Sequence, residues 1–249
     1  MSLARRHREY IAALSGGSRA GTPAPAASGS SPAARQIQLR LQHDLRRLKD
    51  IKSVAAKIAA KRKILPAYHA WVDGALAAAT PEPADEVLPT VMVWSIDVGD
   101  WGRALALAEH VLRYDLPLPA RYQRDAATLV LEEIAEAALR DQARGEPFPL
   151  AVLEQVEALV DGVDMHDEPR AKLQKAIAAE LARAADAAAA PAARALTERA
   201  IAALDAAQRL DERAGVKTQR RALEKALAAL PPATDCDTDT DTAGATVPA

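Results

Sequence analysis

Residues 94–112 read WSIDVGDWGRALALAEHVL. The stretch holds two of the three tryptophans of a chain that is 3% aromatic, with Asp97 and Asp100 set between them. It can be a chemical site or the corner of a helical core, and the spacing around Gly99 favours the corner. Val87, Val91, Trp94 and Val98 recur at three- and four-residue intervals before it. Trp101, Ala104, Leu105, Ala108, Val111 and Leu112 do the same after it, so two helices each show one apolar face. Gly99 suits the left-handed residue that closes the first helix, and Asp100 suits the N-cap of the second. Trp71, Trp94, Gly99, Asp100 and Trp101 are therefore expected to be structural. The competing reading makes Asp97 and Asp100 a Mg²⁺-binding nuclease pair. Such a site needs further acids and usually a lysine, and residues 101–112 supply only Arg103 and Glu109.

Outward from this corner the chain keeps a helical period. Tyr68–Ala79 forms one pattern, closed by TPEP, and LPLP at 116–119 is expected to end the group that contains the corner. Asp125–Ala143 carries Leu131, Ile134 and Ala138 on one face, with Gly145 as its C-terminal stop. Leu150–Val160 is shorter and stops at Gly162. EPRAKLQKAIAAELARAA (168–185) opens with Pro169 and carries Leu173, Ile177 and Leu181. After Pro191 a pair of helices is expected over 192–209 and 212–230, with Leu196, Ala200, Leu204, Leu223, Leu227 and Leu230 inwards. The pairs 86–115 and 192–230 read as antiparallel, tetratricopeptide-like hairpins. No strand pattern survives, and an alanine-rich, phenylalanine-poor composition points the same way: the fold is predicted to be all-α.

Charge divides the chain. Residues 1–66 carry 14 Lys/Arg against three acids, a balance of +11, while residues 67–249 balance at −13. Such asymmetry suggests a polyanion-binding arm on an acidic body. Residues 1–34 are expected to be a disordered basic arm and Gly/Ser/Pro linker. Residues 35–65 read as one long basic helix. Its seam is Ile37, Leu41, Leu45, Leu48, Ile51, Ala55 and Ile58, which packs on another helix or self-associates as a short coiled coil. Residues 66–146 read as a helical core and 147–230 as C-terminal hairpins. Residues 231–249, with four aspartates and no base, are expected to be a disordered acidic tail.

Other chemistries are not indicated. The single cysteine, Cys236, rules out an internal disulfide and suits a reducing cytoplasm. No apolar run reaches membrane-spanning length, and no signal core follows the N-terminal arginines. No phosphate-cradling glycine loop occurs. Asp164, His166 and Asp167 of DMHDE could be drawn as metal ligands, but N-capping and first-turn acids explain them more simply. The D-x-D-x-D-x-D of the tail lacks the glycine and the glutamate of a calcium loop. No metal site and no catalytic residue are assigned.

Three segments carry a resemblance: KRKILPAYHAWVDGAL (61–76), VLPTVMVWSIDVGDWGRALALAEHVLRYDLPLP (87–119) and DAATLVLEEIAEAAL (125–139). Together with DMHDEPRAKLQKAIA (164–178), they make residues 35–230 similar to the small terminase subunits of tailed phages, in the M-protein family of temperate, cohesive-end phages. The matching positions are Ile64, Leu65, Pro66, Trp71, Val72, Asp73 and Gly74, then Val91, Met92, Trp94, Asp97, Gly99 and Asp100. The acidic tail and the Gly/Ser/Pro linker depart from the family.

The resemblance implies a homo-oligomeric ring in the host cytoplasm. It would bind double-stranded viral DNA at the packaging (cos) site and recruit the large terminase subunit. ATP and Mg²⁺ belong to that large subunit, and no cofactor is expected here. The family's frequent label, endonuclease subunit, is read as a property of the holoenzyme. The DNA-binding bases expected are Arg46, Arg47, Lys49, Lys52, Lys57, Lys61, Arg62 and Lys63, assisted by Arg5, Arg6 and Arg8. Two alternatives stand beside this. One is a metal-dependent endonuclease using Asp97, Asp100 or the 164–168 acids. The other is a helical-repeat scaffold that binds an acidic partner through its basic arm.

Overall fold

The computed structural model describes residues 31–78 and 86–231. Arg5, Arg6 and Arg8, most of the expected linker and nearly all of the acidic tail lie outside the described residues. Within them the protein is all-α, with ten α-helices, one 3₁₀ turn and no strand. The chain divides into two units, Met1–Gln36 and Ile37–Ala249. In the first, Ser31 opens a helix: its Oγ accepts from the Ala34 amide at 3.1 Å and its carbonyl from the Arg35 amide at 3.0 Å. The core belongs to the second.

The basic N-terminal helix α1 runs from Pro32 to Asp50, three residues earlier in onset than the linker boundary suggested. The apolar stripe continues past Asp50, but the helix does not, so the single helix expected over 35–65 is two. Residues 51–53 leave the helix, and Ser53 starts α2 (Val54–Ile64) as an N-cap whose hydroxyl accepts from the Ala56 amide at 3.4 Å. Pro66 sits in the 3₁₀ turn Leu65–Tyr68, which passes directly into α3 (His69–Ala77).

The opening stretch forms the hairpin of α4 (Val87–Val98) and α5 (Trp101–Arg113). Ten of the twelve α4 residues are buried, so α4 is a central helix surrounded by others, more enclosed than a one-sided stripe predicts. Gly99 has φ 77°, and the Gly99 and Asp100 amides donate to the carbonyls of Ile96 (3.0 Å) and Ser95 (2.9 Å), a Schellman closure. The carboxylate of Asp100 accepts from the Arg103 amide at 3.3 Å and opens α5. One residue thus closes one helix and caps the next. α5 ends before the 116–119 prolines are reached. Asp115 turns left-handed at φ 49°, and the Leu116 amide returns to the Val111 carbonyl at 2.9 Å.

Helix α6 (Ala126–Ala143) is capped by Asp125, which accepts from the amide and hydroxyl of Thr128 at 2.8 and 2.7 Å. It closes through Gly145 at φ 80°. Short α7 (Leu150–Leu159) then leads to α8 (Asp167–Ala187) and α9 (Ala190–Leu210). His166 holds the N-cap position of α8 without a side-chain bond, and Asp167 and Glu168 lie in its first turn.

The main C-terminal hairpin is α8 with α9, and the pair expected over 192–230 is present beside it as a lighter packing of α9 with the last helix. Both helices are 21 residues long and joined by Ala188–Ala189. They meet through buried small residues, among them Ala176, Ala185, Ala193, Ala200 and Ala207, which allow close approach. The last helix, α10, begins only at Lys217, because Gly215 (φ 72°) and a turn held by Asp211 occupy the residues before it. It runs to Ala229 and buries no residue fully. The fully buried Leu131, Ile134, Leu153, Leu173, Leu181 and Leu204 tie α6–α9 together, each contributing about 1.5–3 kcal/mol by leaving water.

Candidate nucleic-acid interface

The apolar seam of α1 is turned inwards. Leu41 and Leu48 are buried, and between them the buried Asp44 accepts a 2.8 Å hydrogen bond from the Tyr68 hydroxyl. Burial first, then this bond and the Asp44 charge, push the Tyr68 hydroxyl far above its ordinary pKa. The Tyr68 ring stands edge-on to Trp94 at 5.8 Å, so α1 is tied through one tyrosine to the centre of the core. The seam proposed for a coiled coil is thereby used within the chain.

With the seam inside, the bases of α1 face out. Arg46, Arg47 and Lys49 are exposed, as is Lys52 in the break after α1. Arg35 and Arg40 are exposed on the same helix and were not among the bases singled out, although their positions off the apolar stripe carried that signal. Among the described residues no carboxylate forms an ion pair with any of these six.

The bases of α2 are placed differently. Lys57 is half-buried and Lys63 exposed. Lys61 is only 15% exposed and forms an ion pair with Asp97 of α4. Arg62 donates to the carbonyl of Val98 at 3.2 Å, at the open C-terminal end of α4. There a cation meets both the free carbonyl and the negative end of the helix dipole. Lys61 and Arg62 thus clip α2 to the Gly99 corner. On its other side Arg103 of α5 reaches Asp73 of α3 at 2.7 Å.

The residues of the corner have defined places. Trp94 is 2% exposed in the core, Trp71 is half-buried against it, and Trp101 packs on Phe148 with ring centroids 5.0 Å apart. Asp97 is held by Lys61 and Asp100 acts as a cap. Across from Asp97 stands Glu133 of α6. Partial burial, then the charges of Asp97 and Glu136, raise its carboxyl above the ordinary range. Among the described residues no group of three His, Cys, Asp or Glu side chains could hold a metal ion. Glu168 faces Lys172 at 3.5 Å instead. No helix of the described residues is long and apolar enough to cross a membrane.

The class these features define is an all-α protein with an outward-facing basic helix pinned to a core built on a tryptophan-bearing helical corner. The phage small terminase subunit family matches residues 38–168, and the chain belongs to that family. It is similar to the "Terminase, endonuclease subunit" of Escherichia phage P2, at 35% identity over 230 residues, covering 92% of this chain and 87% of that protein. No solved structure matches. The family places the protein in phage DNA packaging.

Proposed function

We propose that this protein is the DNA-recognition and adaptor subunit of a terminase. It binds double-stranded viral DNA at the packaging site through α1 and the break after it, and it recruits the large ATPase-nuclease subunit. The observation that supports this most is the orientation of α1: its apolar seam is inside, and Arg46, Arg47, Lys49 and Lys52 are exposed without carboxylate partners among the described residues. Cations placed so neutralise backbone phosphates and release counterions, which gives affinity that falls steeply with salt. Lys61 and Arg62 contribute to this surface indirectly, by fixing α2. Assembly into a ring in the host cytoplasm would multiply weak contacts through effective concentration.

The test is a salt titration of binding to cos-containing duplex, with native mass spectrometry of the same sample. The reading expects a linear fall of log affinity with log salt and an oligomer at micromolar concentration. Salt-independent binding or a monomer would sink the corresponding part of it.

A second reading rests on the name of the phage P2 relative: an intrinsic, metal-dependent endonuclease. If it uses the corner rather than the 164–168 acids, it requires Asp97 to leave Lys61 or Asp100 to leave its cap. Mg²⁺-dependent cutting of cos DNA by the isolated protein, abolished in Asp97→Ala, would establish it.

A further inference from the structure

Helix α10 is held in place by cations more than by a core. Arg194 of α9 donates to the carbonyls of Leu230 (2.8 Å), Pro231 (2.9 Å) and Leu227 (3.4 Å), closing the open C-terminal end of α10. Lys175 of α8 donates to the Ala214 carbonyl at 2.9 Å in the turn before it. Arg220 bridges Asp205 of α9 at 2.5 Å and Glu224 at 3.0 Å. Beneath the helix lies an apolar cavity of about 160 Å³, lined by Ala178, Ala182, Leu204, Ala222 and Leu223 among others. Leu223 packs partly buried against the core and Val216 is buried just before the helix, so the apolar hold on α10 is confined to its inner edge.

Its outer face is distinctive. Lys217, Arg221 and Lys225 are spaced i, i+4, i+8 and form one stripe, each about 6 Å further along the axis. All three are exposed, and among the described residues none has a carboxylate partner. In an otherwise acidic body, residues 209–225 hold six of the 18 bases after residue 66, against three acids. The face offers no large apolar or aromatic side chain. Protein interfaces anchor on such side chains, whereas phosphate contacts do not require them.

We propose that the outer face of α10, with Lys217, Arg221 and Lys225, is a second contact surface for the phosphate backbone of double-stranded DNA. This rests on the DNA-binding reading of α1 and adds to it a site in the C-terminal half of the chain. Each cation that neutralises a phosphate steepens the salt dependence by about 0.9 in log–log slope.

The experiment measures anisotropy of a labelled random-sequence duplex with the full-length protein across a salt series. Wild type is compared with Lys217→Ala/Arg221→Ala/Lys225→Ala and, separately, with Arg46→Ala/Arg47→Ala/Lys49→Ala. The α10 variant is expected to be shallower than wild type by about 2–3 in slope. If the alanine variant loses helical circular dichroism, Lys217→Gln/Arg221→Gln/Lys225→Gln is held to the same criterion. An unchanged slope in the α10 variant beside a shallower slope in the α1 variant overturns this inference and leaves the function of α1 standing. No salt-dependent binding by wild type overturns both. Loss of large-subunit capture at an unchanged DNA slope makes the face a protein dock and also overturns it.

Discussion

Helices α1 and α2 follow one another, share one apolar stripe and carry similar numbers of bases, yet the fold uses those bases in opposite ways. On α1 the one acid of the seam, Asp44, is buried and taken by Tyr68, so Arg46, Arg47 and Lys49 have no partner among the described residues and face solvent. On α2 the C-terminal end of α4 lies close by and supplies a carboxylate, Asp97, and a carbonyl, Val98. Two bases are drawn in as clips. Basic composition therefore does not by itself mark a nucleic-acid surface. What marks it is whether the tertiary neighbours of a base are negative.

The strongest way to break this comparison is to remove Arg46, Arg47 and Lys49 together by alanine. Three lost phosphate contacts make the salt slope shallower by about 2.7, so wild type loses roughly 40-fold more affinity than the variant between about 50 and 200 mM salt. The melting temperature should stay put, because these side chains are exposed and form no ion pair or hydrogen bond among the described residues. An unchanged slope would remove α1 from the interface. Next comes Tyr68→Phe, which keeps the ring against Trp94 and deletes the hydroxyl. Asp44 is then a buried carboxylate short of a hydrogen bond, at a cost of about 1.5–3 kcal/mol, or several degrees in melting temperature. Calorimetry that finds no shift would mean that this bond does not pin α1.

The parts of this arrangement that were legible in the sequence are local. Gly99 and Asp100 could be placed because a Schellman closure and an N-cap are set by residues within one turn, and the all-α fold followed from the period of the apolar residues. The break at 51–53 was hidden because Leu48, Ile51, Ala55 and Ile58 keep the helical spacing across it. Only Ser53, a common N-cap residue, hinted at a new start. The pairing of Lys61 with Asp97 spans 36 residues and depends on how α2 crosses α4, which no local pattern carries. The same holds for Asp44 and Tyr68. The hairpin of α8 with α9 was missed for a related reason: alanine-rich faces look alike, so the pattern did not say which neighbour α9 prefers.

On the α2 side, Lys61→Ala should behave as the mirror image of the α1 variant. It leaves Asp97, itself 31% exposed, without its partner. The expected cost is about 1 kcal/mol and a fall of roughly 2–4 °C in melting temperature, with the DNA salt slope unchanged. A shallower slope at constant stability would place Lys61 on the DNA and dissolve the contrast. Asp97→Asn probes the same clip from the other partner. With one of the neighbouring charges gone, the Glu133 carboxyl should titrate closer to its ordinary value, and a carboxyl-resolved NMR titration reads that directly.

The smallest effect should come from Arg62, which stands on the boundary of the comparison. One of its nitrogens is bound to the Val98 carbonyl at 3.2 Å, but the residue is exposed and a guanidinium has five N–H donors. Arg62→Ala removes a cation from the C-terminal end of α4, which costs about 0.3–1 kcal/mol. Arg62→Lys keeps the charge at the helix end and gives up the fork geometry that could hold the carbonyl and a phosphate together. If Arg62 is only a clip, lysine restores most of the stability lost in the alanine variant, and neither variant alters the salt slope. If it serves both helices, lysine restores stability while both variants shift DNA affinity. The contrast between α1 and α2 would then have its dividing line at Lys61.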